Sequence, residues 1–148
     1  MLELYLDRLV SDIRQALFST TDIREQTYAA VWAYFDFIDR DPDGFRLVFE
    51  SELPEVPCVR RRTDRAIDDC VAIIAGFLVR NSGMNPRRAR MLAIGLTGIG
   101  SSSARYWLDA DRPIPMDQAV ATTAGMCWGG LSQVPLPHID ALSRAWSV

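Results

Sequence analysis

The chain has 148 residues, 49% of them hydrophobic, and a formal net charge of −3. That length and hydrophobic content suit one domain with a single substantial core and exclude a disordered chain. All sixteen basic residues are arginine, which removes Schiff-base and lysine-nucleophile chemistry, and the negative balance supplies no electrostatic footprint for nucleic acid.

The longest run of apolar residues and glycine, 71–79, is too short to cross a bilayer. The start, Met1-Leu2-Glu3-Leu4, has no basic segment leading into an apolar one, so no secretory signal is read and a cytoplasmic protein without membrane contact is expected. Cys58, Cys70 and Cys127 are odd in number, widely spaced and free of any CxxC, which fits ordinary thiols better than a disulfide framework or a zinc site. No metal and no cofactor are expected.

Leu2, Leu6, Leu9, Ile13 and Leu17 recur at the spacing of one helix face, and nothing in 1–18 breaks a helix. Ser19-Thr20-Thr21-Asp22 then offers turn and cap chemistry, with Glu25 three residues after Asp22 in the manner of a capping box. A second helix over 23–39 carries aromatics round much of its circumference, which predicts cover on more than one face. Asp41 before Pro42 predicts an N-cap and first-turn proline for a short helix over 42–51. Pro54 and Pro57 break the chain, and helical spacing resumes over 60–81, closed by Asn81-Ser82-Gly83.

The next predicted helix, 86–108, holds Gly95, Gly98 and Gly100 and then Ser101-Ser102-Ser103-Ala104. Each internal glycine costs about 1 kcal/mol against alanine, so the helix is expected to recover that loss by letting another helix approach closely. The helix over 116–131 is similarly rich in small residues, after a loop bounded by Pro113 and Pro115. No strand pattern competes. The chain reads as all-α: an antiparallel bundle of about six main helices over 1–131, then a C-terminal tail, 132–148, with one short helix.

Several motifs invite chemistry. Asp39-x-Asp41-x-Asp43-Gly44-x5-Glu50 satisfies the calcium-loop expression of an EF-hand, yet Pro42 lies inside it and Arg46 stands where an aliphatic residue is usual. Helix capping explains the same residues more simply. Arg60-Arg61-Arg62 with Arg65, and Arg87-Arg88 with Arg90, fit a solvated, ion-paired surface near Asp64 and Asp68. The single histidine, His138, sits in the tail, and Ser101-Ser102-Ser103 follows no strand, so neither suits a nucleophile elbow. No enzyme is expected. Gly95-Leu96-Thr97-Gly98-Ile99-Gly100 lies within a helix pattern, unlike a dinucleotide-binding turn.

The remaining signal is the aromatic group Tyr28, Trp32, Phe35, Phe45, Phe49, Phe77 and Trp107, divided between packed core and the wall of a cavity, with Thr97, Asn81, Tyr28 and Arg105 as polar candidates.

The order of these features carries a resemblance. Tyr34-Phe35-Asp36-Phe37 leads to Asp41-Pro42-Asp43-Gly44-Phe45-Arg46-Leu47-Val48-Phe49. A glycine- and serine-rich helix then runs into Arg105-Tyr106-Trp107-Leu108, and the last helix ends in Trp128-Gly129-Gly130-Leu131. Over 1–131 this resembles the C-terminal ligand-binding and dimerisation domain of TetR-family transcriptional regulators. The resemblance implies a homodimer in which the last two long helices form a four-helix bundle with their copies. Gly95, Gly98, Ser102, Tyr106, Thr123, Cys127 and Gly130 would lie at that interface. It also implies a cavity bounded by the first five helices, beneath Trp32 and Phe77, for an apolar or amphipathic small-molecule effector. Tyr28, Trp32, Phe35, Phe49, Cys70, Ile74, Phe77, Thr97 and Arg105 are the residues expected to hold it.

In that family a helix-turn-helix precedes the helix matching 2–17, where this chain starts, so DNA contact is expected only through a helix-turn-helix absent from these residues. The expected function is that of a small-molecule-sensing, dimerising regulatory domain of a TetR-like repressor. The alternative is a stand-alone helical ligand-binding or dimerisation protein without a transcriptional role.

Overall fold

Helix α1 (Leu2–Phe18) buries Leu6, Leu9, Ile13 and Leu17 along one face, as their spacing predicts. The structure, a computed structural model, describes residues 2–49 and 57–134. Asp22 caps α2 (Ile23–Arg40), its carboxylate accepting from the backbone N–H groups of Arg24 at 2.8 Å and Glu25 at 3.2 Å. Thr20 completes the cap in relay. Its oxygen accepts from the Asp22 N–H at 3.3 Å, while its hydroxyl donates to the Glu25 carboxylate at 2.7 Å.

The turn between α1 and α2 is sealed from inside by Gln26. Its side chain is buried, and Nε2 donates to the carbonyls of Leu17 at 2.9 Å and Thr20 at 2.6 Å. The reversed amide would set its oxygen against both carbonyls, so the two acceptors fix its orientation.

Asp41 closes α2 and opens α3 (Pro42–Phe49), its carboxylate accepting from the Gly44 N–H at 2.9 Å. Phe45 then enters the core completely. The predicted end of this helix near residue 51 lies outside the described residues. Helix α4 (Pro57–Ser82) starts at Pro57, earlier than predicted, because a proline breaks a helix behind it yet suits a first turn whose N–H groups need no intrahelical acceptor. Gly83, at φ 66°, adopts the left-handed conformation that ends α4, and its N–H donates to the Val79 carbonyl. Asn85 caps α5 (Pro86–Asp109), with Pro86 at the first position. Helix α6 (Met116–Leu131) is the last element described. The predicted tail helix and His138 lie outside the described residues.

The fold is all-α, with no strand among the described residues. Helix α2 packs on α1 at one side and α6 at the other, while α4 lies against both α1 and α5. Phe35, Ile38, Phe45, Leu108 and Val120 form the centre of the main core. A smaller cluster of Leu78, Met84, Ala89 and Leu131 fills the junction of α4 and α5 with the end of α6.

The α5–α6 loop is unusual. Asp111 and Arg112 stand at φ 58° and 54°, consecutive left-handed residues of which neither is glycine. Each such residue costs about 1 kcal/mol or more, so the surrounding contacts must hold them.

Replacing Gln26 with leucine removes both donors and leaves two buried carbonyls unpaired. The expected loss is about 2 kcal/mol, read as a lower urea midpoint. An unchanged midpoint would show that the α1–α2 turn does not depend on this amide.

Candidate functional site

A cavity of about 180 Å³ lies between α1, α2, α4 and α5, with α6 at one side. It exists because the helices that meet there offer unequal bulk. Helix α1 contributes Leu9, Ile13 and Leu17, and α4 contributes Ile67, Cys70, Ile74, Phe77 and Leu78. Helix α5 contributes Leu96 and Arg105 together with Thr97, Gly100 and Ser101, and the three small residues leave space opposite α1 and α4. A Cβ placed on Gly100 would find no heavy atom within 4 Å. Cavities of roughly 150 Å³ with apolar walls hold molecules the size of benzene, so the space is large enough for a ligand group.

The polar part of the wall is one stripe and one opposing hydroxyl. Thr97, Ser101 and Arg105 recur every four residues along α5, and Tyr34 faces the same cavity from α2. Thr97 donates to the Ala93 carbonyl at 2.7 Å and Ser101 to the Gly98 carbonyl at 3.3 Å. Their protons are spent on their own helix, which leaves lone pairs toward anything bound. Arg105 and Ile67, both exposed, stand at the rim.

The cavity is a poor place for charge. Burial pushes the Cys70 thiol up to about 11, with Asp69 adding to the rise, and raises Cys127 as well. Burial also holds the Tyr34 hydroxyl well above the usual tyrosine range, although nearby Arg105 pulls the other way. These three groups are therefore neutral at pH 7, and both thiols are weak nucleophiles.

Of the expected ligand residues, Cys70, Ile74, Phe77, Thr97 and Arg105 come together in the cavity wall. Phe35 does not line it; it is fully buried with its ring 5.6 Å from that of Trp107. Tyr28 and Trp32 stand on the outer side of α2, 41% and 40% exposed, and neither lines this cavity, whereas Phe77 does. The Phe49 side chain lies outside the described residues. Among the described side chains α3 supplies no wall residue, whereas α6 supplies Cys127 and Leu131. Sequence reasoning missed the α1 leucines and Tyr34. Their signal was available, since Ile23, Thr27, Ala30 and Tyr34 share one face of α2 opposite Trp32.

Of the residues expected at a dimer interface, Gly95, Gly98, Ser102, Tyr106 and Gly130 lie on the outer faces of α5 and α6. Exposed Met91, Ile94 and Met126 lie on the same two helices. Thr123 and Cys127 point inward instead and are buried in the protomer, Cys127 at the cavity. Among the described residues an added Cβ at Gly95, Gly98, Gly125, Gly129 or Gly130 would meet nothing within 4 Å, so these glycines seat none of the described helices.

The acidic loop is committed to structure. Asp39 pairs with Arg112 at 2.7 Å and Asp41 caps α3, while Glu50 lies outside the described residues. Among the described residues no three His, Cys, Asp or Glu side chains are grouped to hold a metal. Arg61, Arg62, Arg65, Arg87, Arg88 and Arg90 are exposed, and Arg90 lies 3.7 Å from Asp68, a surface pairing of small energetic weight.

Fold and site together define an all-helical domain built around an apolar cavity with a short polar stripe. Over 136 residues the chain is 47% identical to the HTH-type transcriptional activator FasR of Mycolicibacterium smegmatis, a match covering 92% of this chain and 62% of that protein. The chain thus spans less than two thirds of its relative's length. What it is similar to is a regulator of transcription, which is not a class of enzyme. No protein-family model matches the chain. Among the described residues no helix is long and apolar enough to cross a membrane.

The raised thiol gives a pH dependence. The folded state holds the Cys70 proton more tightly than an unfolded chain with an ordinary value of 9.0. Its contribution to stability is therefore whole below pH 9 and is lost as pH climbs toward about 11. Urea midpoints should fall over that window, and less steeply in Cys70→Ala. Equal slopes in the two proteins would contradict the assignment.

Proposed function

We propose that this chain is the effector-sensing and dimerising part of a TetR-like transcriptional regulator. Residues 1–131 form the domain, and the cavity takes an apolar or amphipathic small molecule. The observation that carries this is the cavity itself. It is walled by apolar side chains from five helices and edged by Thr97, Ser101 and Arg105, an arrangement that buries an apolar body and orients one polar end. Similarity to a transcriptional activator supports the regulatory role, and the sign of regulation is proposed from that relative, in place of the repression the TetR resemblance implied. DNA contact is assigned to a helix-turn-helix of the kind named for the relative, not to the acidic surface of these helices. The setting is the cytoplasm, where effector and DNA are both accessible.

Homodimerisation is proposed through the outer faces of α5 and α6. Glycines at 95, 98, 125 and 129 leave those faces low, and Met91, Ile94, Tyr106 and Met126 supply exposed apolar surface on them. Low faces permit close helix crossing, and apolar flanks reward it. Binding in the cavity would then shift α1 and α4 relative to the bundle and change the spacing of two DNA-binding heads, which must stand about 34–36 Å apart.

Two substitutions test this. Ala30→Trp directs an indole into the cavity from α2 and should abolish binding of the apolar fluorophore N-phenyl-1-naphthylamine while leaving helical content intact. Undiminished binding in that variant would remove the cavity from consideration. Gly98→Arg meets no atom of its own protomer at the Cβ, so it should fold normally and sediment as a monomer where the parent protein is a dimer. A dimer of unchanged strength would place the interface elsewhere.

A further inference from the structure

Helices α2 and α5 both line the cavity, and both converge at one end of it. At that end a group of polar and aromatic contacts joins them. The Arg112 Nε donates to the Asp39 carboxylate at 2.7 Å, linking the α5–α6 loop to the last turn of α2. The same guanidinium lies 5.5 Å from the centre of the Trp107 ring, and Trp107 Nε1 donates to the Ile114 carbonyl at 2.8 Å. Trp107 in turn packs on Phe35, four residues along α2 from cavity-lining Val31. The loop reaches this position only with Asp111 and Arg112 in left-handed conformations, at φ 58° and 54°.

We propose that the Asp39–Arg112–Trp107 clasp is a strap that sets the spread of α2 and α5, and through it the width of the cavity between them. Three observations combine. The clasp ties the two helices whose separation defines the cavity on one side. It sits beyond the last cavity residues, Tyr34 on α2 and Arg105 on α5, where a small change of spread has leverage on the space between. It also holds two adjacent residues in conformations that favour release, so the closed loop is under load rather than at rest. Asp39 and Arg112 are each about 40% exposed on their side chains, so the pair can open to water without uncovering the core. A large occupant and a closed clasp then oppose each other, and the coupling runs in both directions.

Cavity-lining thiols report the width directly. In a Cys58→Ser background, the cysteines left for Ellman's reagent are Cys70 and Cys127, both buried and both in the cavity wall. Arg112→Gln and Asp39→Asn should each raise their labelling rate roughly fivefold or more in water, with a urea dependence shallower than that of global unfolding. Arg40→Gln, which removes the exposed pair with Asp36 one residue away from Asp39, should leave the rate unchanged. Rates equal to the background would overturn the proposal. So would an acceleration that follows global stability alone, because a merely structural ion pair acts that way. The readout needs no effector, so its failure is distinct from failure of the sensing role.

Discussion

The protein depends on a shortage of side-chain bulk along the inward face of α5. Ala89, Ala93 and Ala104 are fully buried on that face, and Thr97, Gly100 and Ser101 stand between them toward the cavity. Large residues opposite, on α1 and α4, pack into the core yet leave open space between themselves and that stretch of α5. The unfilled space, about 180 Å³ and partly open to the surface, denies the wall residues the contacts that a fully packed core would give them. The Phe35–Trp107 core, the Gln26 seal and the capped helix starts supply contacts elsewhere. Filling the space with a ligand recovers the missing contacts, which is the physical argument for a sensor over a purely structural bundle.

The chemistry of the wall narrows what fits. Tyr34, Cys70 and Cys127 are all held neutral by burial, so the interior offers neither a fixed charge nor a reactive thiolate at pH 7. Charge enters only at the rim, on Arg105. An occupant with an apolar body and one polar end suits that gradient better than a uniformly polar one. This is the pattern that the proposed sensing role calls for, in a chain similar to a regulator of transcription.

Much of the fold was legible because it is written in local rules. The four-and-three spacing of the α1 leucines, the Asp22 cap and the Asp41-Pro42 start all appear where periodicity and capping chemistry put them. The site was half legible. Cys70, Ile74, Phe77, Thr97 and Arg105 share the faces of α4 and α5 that their spacing indicates. Tyr28 and Trp32 misled because large aromatics suggest interior positions, whereas both lie across the helix from Ile23, Thr27, Ala30 and Tyr34. The glycines of α5 and α6 suggested close packing, yet they seat no described helix of the protomer, and Gly100 opens space instead. The contact between Asp39 and Arg112 joins residues 73 apart in sequence, with no periodicity to announce it.

The central claim is that an apolar cavity persists inside the folded protomer, ready to be occupied. Xenon binding followed through side-chain methyl resonances tests this directly, since xenon enters dry apolar cavities of this size. Saturable shifts should concentrate on methyl groups of Ile13, Val31, Ile74 and Leu96 in the wall. Shifts absent there, or confined to exposed methyls such as Ile94 and Met126, would mean that the helices close on one another and the account fails.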